Sequence, residues 1–166
     1  MHQSSLYIVL VGLPGSGKTT FRNTVCARLN PDELIVLSLD DEIERYAKQE
    51  GTTYTEVFSS YIETAKGIVQ TARKKALLGN KNIIHDATHL TLASRSRSIF
   101  DVPDYYRKIA MVCRVDEEER QLRLLNRPGK IIPVEADDRM RTTFVNPTVE
   151  EGFDGVYPST QWIRNM

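Results

Sequence analysis

Short apolar runs alternate along this chain with longer stretches whose apolar positions recur every three or four residues. Leu6-Tyr-Ile-Val-Leu-Val11 is apolar throughout, as a strand covered on both faces must be. From Lys18 to Leu29 the apolar positions Phe21, Val25, Ala27 and Leu29 predict a helix, and Asn30-Pro31 ends it. Leu34 to Leu39 predicts a second strand. Thr55 to Leu78 predicts the longest helix, with Val57, Tyr61, Ala65, Ile68, Val69, Ala72 and Ala76 at helical spacing and Gly79-Asn80 as its stop. Asn82 to His85 predicts a third strand, Thr91 to Phe100 a helix, and Lys108 to Val115 a fourth strand. Asp116 is expected to cap a helix that opens Glu117-Glu118-Glu119 and breaks at Pro128-Gly129. A further helix from Val134 to Phe144 leads to a short final segment near Gly155 to Tyr157. Strand and helix in alternation predict an α/β fold, a parallel sheet with helices on both faces.

The length of 166 residues, 40% of them hydrophobic, suits a single domain spanning 1–166 with one core and leaves no room for a second catalytic domain. Twenty-two basic and twenty-two acidic side chains cancel, which argues against a protein that coats nucleic acid through a general positive field. No run approaches the roughly 18 apolar residues of a membrane span. Met1 to Ser5 lacks the pattern of a signal peptide, so a cytoplasmic protein with no membrane partner is expected. Cys26 and Cys113 have no metal-type spacing and are expected to be reduced, buried and inert. Arg73-Lys74-Lys75 suits the negative end of the long helix.

Composition leaves function open; one segment does not. Gly12-Leu-Pro-Gly-Ser-Gly-Lys18-Thr19 has a glycine, four residues, then Gly-Lys-Thr, between the first strand and the first helix. That is a phosphate-binding loop, whose backbone N–H groups and helix N-terminus suit a triphosphate. Gly12, Pro14, Gly15, Ser16, Gly17, Lys18, Thr19 and Thr20 form the expected nucleotide site, with Lys18 on the β- and γ-phosphates and the Thr19 hydroxyl on magnesium. In a parallel sheet, ligands gather beyond the carboxyl ends of the strands. Asp40 and Asp41 follow the second strand and Asp86 ends the third. Asp40 is the candidate to orient a hydroxyl and take its proton, Asp41 the candidate helix cap, and Asp86 a support for magnesium or its water shell. Arg123 and Arg127, four apart on one helix, could close over the phosphates as part of a helical lid at about 117–133. Equally, Glu119 lies four residues before Arg123, and a surface ion pair accounts for the same letters. Arg120 is expected at the surface. His85, Asp86 and His89 make a poor metal site, because adjacent strand residues point to opposite faces.

In the ordered combination of Gly12 to Thr20, Leu39-Asp40-Asp41, Asp86-Ala87-Thr88-His89-Leu90, Arg95, Arg123 and Arg127, nearly the whole chain resembles the 5′-hydroxyl polynucleotide kinase domains of bacteriophage and bacterial RNA-repair enzymes. The resemblance implies a P-loop NTPase fold and transfer of the γ-phosphate of ATP, or another NTP, to the 5′-OH end of RNA or DNA, with Mg2+. It makes Asp40 the general base, puts Lys18, Arg123 and Arg127 on the transferring phosphate, and directs Asp40, Asp41, Thr88, His89 and Arg95 to the acceptor. Two positions depart from that pattern. Ile43 stands where the phage enzymes have an arginine for the acceptor's 3′ phosphate, with Arg45 turned about 200° away on the helix. His89 stands where asparagine is usual. A kinase of a nucleoside, nucleotide, sugar or other small metabolite shares this architecture, and a nucleotide-binding switch or regulatory ATPase would share the loop alone.

Overall fold

In the computed structural model, residues 5–164 are described. Leu6–Val11 (β1), Leu34–Ser38 (β2), Asn82–Asp86 (β3), Arg107–Val112 (β4) and Gly155–Pro158 (β5) pair in parallel in the order β2-β3-β1-β4-β5. The helices are Lys18–Cys26 (α1), Leu39–Glu50 (α2), Tyr54–Leu78 (α3), Leu92–Ile99 (α4), Glu117–Leu125 (α5), Val134–Thr143 (α6) and Ser159–Arg164 (α7). The expected α/β architecture is therefore present, with the short segment at Gly155 completing the sheet.

The pleat explains why β1 is apolar at every position. Tyr7, Val9 and Val11 pack on one face against Ala76 and Leu77 of α3 and Ile99 of α4, whereas Ile8 and Leu10 pack on the other against Phe21 and Val25 of α1. A third cluster joins α2 to α3 through Ile43, Ala47, Val57 and Ala65. The chain runs from β1 outward to β2, back to β3, and then crosses to β4 on the other side of β1. That reversal opens a crevice at the carboxyl end of β1, where the glycine loop lies.

Several local expectations shift. Helix α1 ends at Cys26, not Leu29. Leu39 starts α2 instead of ending β2, so the cap falls to Ser38, whose Oγ accepts from the Asp41 N–H at 3.1 Å; Asp41 is not the cap. Asp116 precedes α5 but makes no side-chain cap bond. Helix α3 opens with a capping box, in which Glu56 Oε2 accepts from the Thr53 N–H at 2.9 Å. Arg73 does more than complement a helix dipole: it donates to the Tyr7 hydroxyl at 2.9 Å and to Asp101 at 2.7 Å. Cys113 is buried, but Cys26 is only partly so, and both thiols are free. Among the described residues no helix is long and apolar enough to cross a membrane.

Candidate active site

The loop after β1 is built so that only glycine fits at its first position. A Cβ on Gly12 would lie 2.5 Å from both the Cys113 carbonyl and Ser16 Oγ. The Gly12 N–H is anchored on the Thr88 carbonyl at 3.0 Å, which ties the loop to the segment after β3. Gly15 and Gly17 take φ of 81° and 94°, the left-handed region that a side chain resists. Gly17 precedes α1 with no side-chain cap, so the first N–H groups of that helix stay uncapped by the protein. Lys18 Nζ donates to the Gly12 and Leu13 carbonyls at 2.9 Å each. Burial lowers its pKa, and the charges of Asp86 and Asp40 offset part of that. Ser16 Oγ is buried without a hydrogen-bond partner among the described residues. A closed glycine hollow, uncapped helix N–H groups and an unused buried hydroxyl fit a chain of phosphates.

Carboxylates stand around that hollow. Arg22 of α1 bridges two of them, donating to Asp41 Oδ2 at 2.8 Å and Asp86 Oδ2 at 2.9 Å. Burial raises the Asp86 pKa, with Arg22 and then Lys18 opposing. No group of three His, Cys, Asp or Glu among the described residues could hold a metal alone. Magnesium would take most of its ligands from the phosphates and water, which is its usual habit, with the exposed Thr19 and with Asp86 as the protein's share. Asp40 sits in the first turn of α2, half-exposed. Its Oδ1 accepts from the Tyr54 hydroxyl at 2.8 Å, and its Oδ2 pairs with Lys130 Nζ. Desolvation pushes its pKa up, but the charge and hydrogen bond of Lys130 and the bond from Tyr54 outweigh that and hold it below the usual carboxylate value.

The segment 117–133 covers this region in a manner the spacing did not reveal. Helix α5 stops at Leu125, so Arg127 lies beyond it and does not share a helical face with Arg123. Arg123 donates to Glu119 at 2.7 Å and reaches the Gly15 carbonyl at 3.4 Å, an ion pair and a loop contact at once. Arg127 stands 4.0 Å from Glu44 and contributes its charge to Asp40. Arg120, expected at the surface, is buried instead. It donates to Asp137 at 2.7 and 2.6 Å and to the Pro14 carbonyl at 3.3 Å, pinning α5 to both α6 and the loop. Beyond α5, the Gly129 carbonyl accepts from the Thr55 N–H at 3.1 Å. Tyr54, Arg127, Lys130, Lys48 and Glu44 line a cleft of about 580 Å³ there. Sequence reasoning missed Tyr54 and Lys130; one lies 14 and the other 90 residues from Asp40, and nothing in their local pattern marks them.

Of the residues assigned to an acceptor, Arg95 and His89 are buried in scaffold contacts, whereas the half-buried Thr88 meets the scaffold through its backbone. Arg95 is fully buried, bound to Glu151 at 2.6 and 2.7 Å and to the Val145 and His89 carbonyls at 2.9 and 3.0 Å, so its guanidinium is committed to the protein. The Thr88 carbonyl holds the Gly12 N–H, a scaffold contact. His89 is buried at φ 45°, a left-handed conformation that histidine shares with asparagine, and its Nδ1–H donates to the Leu10 carbonyl at 2.8 Å. Its ring stands edge-on to that of His85, 4.5 Å away. Arg45, as expected, turns away: it pairs with Glu42 at 2.8 Å and lies over Tyr46, while Ile43 is in the core.

Burial lowers the His89 pKa from 6.5 to about 4, with the Leu10 carbonyl partly opposing. The folded chain therefore holds a neutral ring that the unfolded chain protonates first. That contribution to stability is complete above about pH 6.5 and is lost as pH falls through about 4. Urea midpoints measured from pH 7 to 4.5 should fall more for the native chain than for His89→Asn.

Solved structures share this fold. The chain matches the Pnkp1/Rnl/Hen1 RNA repair complex at 24% identity over 86% of its length and 45% of that chain, with a TM-score of 0.67. It thus spans less than half of that relative. A protein of Chloroflexus aurantiacus j-10-fl matches at 19% identity over 98% of both chains, TM-score 0.68. A sugar kinase from Janibacter sp. HTCC2649 matches at 18% identity over 97% of this chain and 91% of that one, TM-score 0.60. At these identities the likeness is one of fold alone, the α/β P-loop NTPase fold. The family described as AAA domain (AAA_33) matches residues 8–147, from β1 through α6 with the loop and its surrounding carboxylates, and this chain belongs to that P-loop family.

Proposed function

We propose that this chain transfers the γ-phosphate of ATP or another nucleoside triphosphate to a hydroxyl, with the 5′-OH end of RNA or DNA as the favoured acceptor. The observation that carries it is the Asp40 carboxylate, held between Lys130 and Tyr54 at the rim of an open basic cleft and within electrostatic reach of Lys18. The loop N–H groups and Lys18 would bind the phosphates, with Lys18 leaving the Gly12 and Leu13 carbonyls to do so. Thr19 and Asp86 would hold magnesium, whose charge would offset that of the phosphates. Asp40 would orient the acceptor hydroxyl and take its proton as the oxygen bonds to phosphorus and the bond to the β-phosphate oxygen breaks. Arg123 and Arg127 would offset charge spread over the transferring oxygens. On this proposal 117–133 serves as the lid of a single domain.

Lys48, Arg127 and Lys130 lining the cleft suit an acceptor that carries phosphodiesters, and the cleft's breadth suits a chain end. A second acceptor class is favoured by Ile43. It is buried in the α2–α3 cluster where the polynucleotide kinases present an arginine, which suits a sugar, nucleoside or other small hydroxyl compound. The test is transfer of labelled γ-phosphate from ATP with magnesium to 5′-hydroxyl RNA and DNA oligonucleotides beside a panel of nucleosides and sugars, with Lys18→Met as the blank. Label on oligonucleotide ends is expected. Label only on a small molecule would replace that acceptor, and nucleotide binding with no labelled hydroxyl would replace the kinase by a nucleotide-binding switch.

A further inference from the structure

Asp40 has a problem as a base: both of its oxygens are already engaged. Tyr54 donates to Oδ1, and Lys130 pairs with Oδ2. Lys130 is the less expected partner. Its side chain is only 10% exposed, its ammonium sits 4.0 Å above the Tyr54 ring, and Glu44 is also 4.0 Å away. The loop that carries it is fixed from both sides: the Gly129 carbonyl accepts from the Thr55 N–H at 3.1 Å and the Ile131 N–H donates to Thr55 Oγ1 at 3.1 Å. A rigid backbone thus presents a flexible cation to the carboxylate. An acceptor hydroxyl needs a free lone pair on Asp40, and Lys130, on four rotatable carbons, can yield one without moving its loop. The phenol of Tyr54, anchored in the first turn of α3, cannot swing away so readily.

We infer that Tyr54 and Lys130 are the positioning pair of Asp40, Tyr54 fixing Oδ1 throughout and Lys130 holding Oδ2 until the acceptor hydroxyl takes its place. This rests on the phosphotransfer proposed above. The charged and titratable groups facing Asp40 are Glu44 from α2, Tyr54 from α3, Arg127 and Lys130 from the lid, Lys18 from the loop and Asp86 from β3. Of these, only Lys130 is displaced in the proposed sequence. Before the acceptor arrives, the ammonium keeps Asp40 ionised and weakly basic. Once it is displaced, the carboxylate regains basicity at the step that uses it.

The consequence can be read in pH profiles at saturating ATP with the acceptor varied. The acid limb of kcat/KM reports Asp40 before the acceptor binds, and that of kcat reports it in the complex. Removing a cation raises a carboxylate pKa. The native chain should therefore show its kcat/KM limb at lower pH than its kcat limb. Lys130→Met should move only the kcat/KM limb, upward, until the two meet, and Lys130→Arg should restore the separation. Tyr54→Phe should move both limbs upward together. Coincident limbs in the native chain, or equal movement of both limbs in Lys130→Met, would overturn the inference. If no hydroxyl accepts label at all, the phosphotransfer itself fails. The pairing is then decided by ¹³C NMR titration of the Asp40 carboxyl, assigned with Asp40→Asn: a midpoint that does not rise in Lys130→Met overturns it.

Discussion

Asp40→Asn should lower phosphoryl transfer by about 10²- to 10⁴-fold, the range over which a positioned general base contributes. Asparagine keeps the shape of the side chain and one acceptor oxygen for the Tyr54 hydroxyl, but it cannot take the acceptor's proton. The fold should not suffer. The carboxylate is half-exposed, and the Lys130 ammonium left behind can reach Glu44 or water. Nucleotide affinity should also stay close to native, because on the proposed reading the loop, Lys18 and Ser16 hold the nucleotide while Asp40 serves the acceptor. The loss therefore belongs in kcat, measured at saturating ATP and acceptor beside the Kd of a fluorescent nucleotide. A native kcat would move the proton's destination away from Asp40, and a weakened Kd would mean that Asp40 supports the loop instead.

Arg95→Met should cost stability, about 3–5 kcal/mol, as expected when one partner of a buried pair is removed. Arg95 has no exposed surface, and the Glu151 side chain is 7% exposed, so the variant would strand a carboxylate away from water. It would also leave the Val145 and His89 carbonyls without a donor. Since whole domains are stable by only about 5–15 kcal/mol, the shift should be plain in a urea midpoint. Replacing both partners, as Arg95→Met with Glu151→Leu, should recover much of the loss, because the uncompensated charge is then gone. If Arg95 contacted an acceptor, the single variant would instead lose transfer at native stability.

Two kinds of information are mixed in this chain, and they separate by sequence distance. The phosphate loop is legible because strand, glycines, lysine and helix are contiguous, and each residue's demand on the backbone is met by its own neighbours. The apolar runs are legible for the same reason: pleat and helical turn repeat locally. So the α/β class, the loop at the end of β1 and the placement of Asp40, Asp41 and Asp86 at the carboxyl ends of β2 and β3 follow from the residues in order along the chain. Tertiary structure decided which charged side chains face solvent, which hold the scaffold and which meet at Asp40. Arg120 reads as a surface residue until Asp137, 17 positions away on another helix, comes to meet it. Arg95 reads as a substrate contact until Glu151, 56 positions on, encloses it. Lys130 and Asp40 are 90 positions apart, and their pairing depends on how the loop after α5 docks on the first turn of α3. The physical reason is common to all three. A charge carries no period and no backbone preference that names its partner, and whether it is solvated or paired is fixed only when packing sets the distance and removes the water.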